Sequence, residues 1–150
     1  MTMNTNAPLH EQVHIAGVID PDAYAAGGVS TAWIDIGKFG AIMATTMVGT
    51  MATGATLDAK LEQAKDATGT GAKDIDGKAI VQMTQAGTDQ SDRQAIIECR
   101  GEELDVNNGY SHVRLSLTIS TAACDAGAIV HGVAARYPQD TAATVDQAIT

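Results

Sequence analysis

From Tyr110 to Ser120 apolar and polar residues alternate. Val113, Leu115, Leu117 and Ile119 share one side, and His112, Arg114, Ser116, Thr118 and Ser120 share the other. A period of two belongs to a half-buried strand and not to a helix. The same period recurs after Ala55, where Leu57, Ala59 and Leu61 oppose Asp58, Lys60 and Glu62. No stretch carries a long amphipathic helical stripe, and turn-forming residues separate the apolar segments. Such strands bury their apolar sides by packing sheet on sheet. The expected fold is therefore all-β: a single antiparallel β-sandwich or jelly-roll-like domain of about eight short strands. The domain is expected over residues 13–138, with a flexible arm over 1–12 and a tail over 139–150. The tail reads equally as a weak helix or a mobile arm.

In chain order, a first strand begins at Val13 and is expected to stop at Asp20-Pro21-Asp22, because proline removes a donor. In it, Val13, Ile15 and Gly17 alternate with His14, Ala16 and Val18. Val29–Ile36 follows, with Ile34 and Ile36 opposite Trp33 and Asp35, then a turn at Gly37–Gly40. Ala41–Met51 is ambiguous, since Met43, Met47 and Met51 recur as they would on a helix. Thr45, Thr46, Val48 and Thr50 are β-branched and Gly49 weakens a helix, so a strand is predicted, with the methionines filling the core. Ala55–Thr84 reads as strand, polar loop Asp66–Asp74, and a second strand at Ala79–Met83. Gln94–Arg100 is another strand, and Gly101–Asp105 a helical turn. Asn107-Asn108-Gly109 is a turn before the Tyr110 strand. Tyr110 itself fits either a corner tyrosine bonding upstream backbone or an ordinary half-buried residue. Ala122–Ala126 is a turn, and Gly127–Tyr137 the last strand, closed by Pro138.

The core must be built from small and aliphatic residues. Of 150 residues only Tyr24, Trp33, Phe39, Tyr110 and Tyr137 are aromatic. The net charge is −9, and the bases are scattered, so a phosphate backbone is not an expected partner. No apolar run approaches the ~20 residues of a membrane helix. MTMNTNAPLHEQ has neither a basic nor an apolar export segment. Cys99 and Cys124 are accordingly expected as buried thiols of a reducing compartment.

Motifs that could carry chemistry fail on context. His10-Glu11-Gln12-Val13-His14 spells a zinc-binding pattern, but that pattern needs one helix and the segment runs into a strand. Thr68–Lys73 and Gly77-Lys78 suggest a phosphate loop, yet Ala72 and Ala79 stand where glycine and a hydroxyl residue belong. Asp20/Asp22 and Asp74/Asp76 are too few ligands for a calcium loop. Nothing marks Cys99, His112 or His131 as part of a nucleophilic site. No catalytic residue, cofactor or metal is expected, and the chain is not expected to be an enzyme.

GATLDAKLEQAKDATGTGAKDIDGKAI, ECRGEELDVNNGYSHVRLSLTI and GVAARYP resemble a family of small tailed-bacteriophage and prophage proteins encoded near the major capsid gene. The resemblance covers roughly residues 29–138. It implies a virion structural protein, most simply a capsid decoration or cement protein. Such a protein sits on the capsid exterior, forms homotrimers and clamps the major capsid protein. It brings no catalytic residues. The candidate inter-subunit contacts are the loop Thr68, Gly69, Thr70, Gly71 and Ala72, with the two arms beside it. A head-to-tail connector or tail component remains an alternative, as does a carbohydrate-binding β-sandwich on the virion.

Overall fold

The computed structural model describes residues 3–137, 139 and 144–147. Its strands are β1 Val13–Tyr24, β2 Gly27–Ser30, β3 Ile34–Asp35, β4 Ala41–Met51, β5 Thr56–Ala64, β6 Lys73–Ala79, β7 Met83–Thr84, β8 Gln94–Cys99, β9 His112–Ser120 and β10 Cys124–Val133. One sheet has the order β1-β10-β4-β8. The other has the order β2-β9-β5-β6, with β3 also beside β9 and β7 also beside β5. Every pairing is antiparallel. The segments thus fill four positions in each sheet, and the fold is an all-β sandwich.

The β5–β9 pair anchors one wall of the core. Leu57, Leu61, Val113, Leu115 and Leu117 are each 0% exposed, as the alternation demands. Burying one such aliphatic side chain stabilises the fold by about 1.5–3 kcal/mol. The facing wall is built from smaller residues: Ile42, Ala44 and Val48 of β4, and Ala126, Ala128 and Val130 of β10. Phe39, after a 3₁₀ turn at Ile36–Lys38, closes one end of the core and stacks on His14 with ring centroids 5.7 Å apart. Cys99 and Cys124 are free and buried. Burial pushes the Cys99 thiol up to about 11, and raises that of Cys124 as well.

Several boundaries differ from the sequence expectation. β1 does not stop at Asp20-Pro21-Asp22 but continues to Tyr24. Pro21 is tolerated because β1 is an edge strand and the register slips between Ile19 and Asp22. Gly127 lies against this bulge, where a Cβ would come within 3.0 Å of the Pro21 Cα. A second slip between Ile15 and Gly17 breaks the simple alternation and turns His14, Gly17 and Ile19 inward. Val29–Ile36 is split into β2 and β3, although Ile34 and Ile36 are buried on one side as predicted.

The strand after the polar loop is β6 at Lys73–Ala79, not Ala79–Met83. Val81, apolar and β-branched, is 90% exposed. The edge of β5 is instead covered by a polar strand that buries one large side chain, Ile75. β10 begins at Cys124 and ends at Val133, earlier at both ends than predicted. Pro138 and much of the predicted tail lie outside the described residues. Within the predicted N-terminal arm, residues 3–12 loop back on themselves. Gln12 Nε2 donates to the Asn4 carbonyl at 2.7 Å, and Leu9–Gln12 forms one helical turn.

Candidate docking surface

The two sheets present opposite surfaces to water. The outer face of the β2-β9-β5-β6 sheet is ionic. Arg114 Nε donates to Glu62 Oε2 at 2.7 Å, and Lys60 Nζ lies 3.5 Å from Glu62 Oε1 and 2.6 Å from Asp74 Oδ1. Arg114 also lies 4.6 Å from the centroid of the Trp33 ring. This is the ordinary arrangement of a solvated sheet face.

The outer face of the β1-β10-β4-β8 sheet is apolar. Register places Val18, Ile129, Thr45 and Ile96 in one row across all four strands. Ile15, His131, Met43 and Glu98 form the next row. Met47 stands beside Gly127 and Gln94. Met47 is 57% exposed, Ile96 60% and Ile129 38%. The expectation that the methionine row fills the core is therefore corrected. Ile42, Ala44, Thr46 and Val48 turn inward, so Met43 and Met47 turn outward, and Met51 alone of the row is buried, beyond a register slip.

One end of this face sinks into an open depression of about 830 Å³. Its lining includes Val18, Pro21, Met47, Gly49, Gly127 and Ile129. Gly49 and Gly127 lower the floor between the taller side chains of Met47 and Ile129 and the Pro21 bulge. Three carboxylates, Asp22, Asp92 and Asp125, also line it. They are grouped by the backbone. Ala23 pairs with Asp125, a Cβ on Gly49 would lie 3.1 Å from the Asp125 Cβ, and the Asp92 amide donates to the Gly49 carbonyl at 3.0 Å. Among the described residues no Lys or Arg lines the depression. His131 lies on the same face; its Nδ1 is buried and has no hydrogen-bond partner among the described residues.

The sequence held a signal for this face. Residues 41–51 and 124–133 are nearly continuous apolar and small-residue runs, unlike the alternating β5 and β9. Such runs belong to strands covered on both faces. Here only the inner face is covered by the chain itself.

The predicted contact loop Thr68–Ala72 lies elsewhere, between β5 and β6 of the ionic sheet. Its five residues stay together in a tight loop. Asp66 Oδ1 accepts from the Thr68 amide at 2.9 Å, the Thr68 hydroxyl at 2.7 Å and the Thr70 amide at 3.2 Å. The Thr70 and Thr68 hydroxyls hold the Asp66 carboxyl well below the usual carboxylate range. Lys65 N donates to the Thr70 carbonyl at 3.0 Å. The glycines are not hinges of a projecting segment. A Cβ on Gly69 would lie 2.6 Å from Trp33 Nε1, and Tyr110 Oη donates to the Gly71 carbonyl at 2.8 Å. Tyr110 thus bonds upstream backbone, but on a distant loop and not at a local corner. Lys73 lies 4.3 Å from its ring centroid.

Of the sequence motifs set aside for context, the His10/His14 pair is split by the fold. The helical turn ends at Gln12 and His14 is buried on β1, so His10 and His14 do not share a helix face. Among the described residues no group of three or more His, Cys, Asp or Glu is placed to hold a metal ion. None of their helices is long and apolar enough to cross a membrane. No protein-family model matches the chain, and no curated protein matches it.

Proposed function

We propose that this chain is a non-enzymatic bacteriophage virion protein, a capsid decoration protein that docks on the shell through the outer face of its β1-β10-β4-β8 sheet. One observation carries the reading. Met47, Ile96 and Ile129 stand exposed on the outer face of a sheet whose two central strands are rich in apolar and small residues on both faces. A contiguous apolar patch of this kind marks an interaction surface. Multiple copies on a shell turn a modest contact into firm attachment through avidity. The net charge of −9 suits the capsid exterior better than a DNA-lined interior. The resemblance of 29–138 to proteins encoded beside the major capsid gene supports the same placement. The major capsid protein is the proposed partner and a homotrimer the proposed form, with Thr68–Ala72 as a second contact on the opposite sheet.

The test is addition of the purified protein to expanded capsids that lack it. Binding and a gain in heat resistance are expected. Met47→Lys/Ile96→Lys should fold yet fail to add. Failure of the wild-type chain to bind would remove the capsid reading. A carbohydrate-binding role is less well supported on this surface, because its rows contain no Trp, Tyr or Phe to stack on a sugar.

A further inference from the structure

We infer that the occupant of the depression is an apolar segment of another protein that bears lysine or arginine at one end. The inference rests on the reading of this sheet face as a docking surface, and it names the chemistry of what docks there. Asp22, Asp92 and Asp125 all line a mainly apolar trough, Asp92 and Asp125 beside Gly49. None of the three enters an ion pair among the described residues, whose ion pairs all lie elsewhere. Asp22 accepts from the neighbouring Ala23 amide at 2.7 Å, a bond that leaves its charge in place. A chain binding here finds apolar walls and, beside Gly49, uncompensated negative charge. An apolar segment with a terminal base complements both, and a segment ending in acid is repelled.

The same charges argue against a second copy as the occupant. Each copy carries −9, and among the described residues no Lys or Arg lines the trough. Two such faces stacked together would bring acids near acids with no Lys or Arg among the described lining residues to answer them. Their concave shape also leaves space between them, whereas an inserted segment fills it.

The experiment titrates the full chain with three short Leu/Thr peptides that differ only in ending with lysine, serine or glutamate. Calorimetry gives affinity and backbone amide shifts give location. The lysine peptide should bind about tenfold tighter than the glutamate peptide, as a few partly exposed charge pairs allow. The preference should fall as salt rises, and the shifts should map to β4, β10 and the three aspartates. Asp22→Asn/Asp92→Asn/Asp125→Asn should erase the lysine preference while retaining the apolar contact. Glu11→Gln/Asp76→Asn/Glu102→Gln removes the same charge elsewhere and should preserve it. Equal affinities for the three peptides would overturn the inference. So would shifts confined to the ionic sheet, or equal losses in the two triple variants. A concentration-dependent dimer, broken by Met47→Lys and closed to the peptides, would make a second copy the occupant. Capsid addition without lysine preference would uphold the docking reading and sink this inference. Lysine preference without capsid addition would do the reverse to the capsid reading.

Discussion

At the scale of single residues, the tightest constraint is Gly132. It pairs with His14 across the β1–β10 ladder, and the Phe39 ring lies over it. A Cβ there would come within 2.4 Å of the ring, and Phe39 is only 3% exposed and cannot swing out. Gly132→Ala should therefore cost about 1–3 kcal/mol through overpacking, read as a lower urea midpoint. Phe39→Leu in the same chain should recover part of that loss; strict additivity would show that the ring is not the obstacle. Asp66 makes a second residue-scale prediction. Its folded carboxyl titrates below its unfolded value, mainly through the Thr70 and Thr68 hydroxyls. The stabilisation it gives is complete above the ordinary carboxylate value of about 3.9 and declines as pH falls from there through the depressed one. Hydrogen exchange at the Thr68 and Thr70 amides, corrected for intrinsic rates, should stay slow down to pH ~4 and rise below it. Asp66→Ala should give fast exchange at neutral pH. Neither feature was visible in the sequence, where Gly132 and Asp66 look like ordinary members of a strand and a loop.

At the scale of elements, β5 and β9 were legible because burial on one side imposes alternation. β6 was not legible. A polar strand on an open edge needs one buried side chain, so Ile75 alone carries its hydrophobic signal. The apolar Ala79–Met83 attracted the prediction that belonged to Lys73–Ala79. Pro21 misled in the other direction, because a bulge on an edge strand accommodates a residue that would end a central one. The loop Thr68–Ala72 was located correctly, but its attachment to Trp33 and Tyr110 was hidden by sequence distance. Deleting those five residues removes the Tyr110 bond and uncovers Trp33, while the β5–β9 ladder stays intact. The variant should keep one cooperative unfolding transition at a lowered midpoint. Tyr110→Phe alone should cost about 0.5–1 kcal/mol, the net worth of one partly exposed hydrogen bond. An unchanged midpoint in both would show that the loop is not anchored to the body.

At the scale of the whole molecule, the sandwich has one ionic and one apolar outer face. The exposed side chains of Met47 and Ile96 contribute little to the lone chain. Met47→Lys/Ile96→Lys should then shift monomer stability by no more than about 0.5 kcal/mol per site, the usual range for surface changes. Loss of assembly with unchanged folding would separate docking from stability; global unfolding of the double variant would place these residues in the core. The sequence by itself determined the all-β class and which residues of β5 and β9 face inward, because side chains alternate with period two and burial selects one side. It also determined the acidic charge and the scarcity of aromatic core. Only the tertiary structure decided which side of β4 and β10 meets the other sheet. Both sides of those strands are rich in apolar and small residues, so alternation chooses poorly between them. Packing of the two sheets turns Ile42, Ala44, Thr46 and Val48 inward, and it leaves Met43 and Met47 on the outer face, Met47 beside a trough lined in part by aspartate.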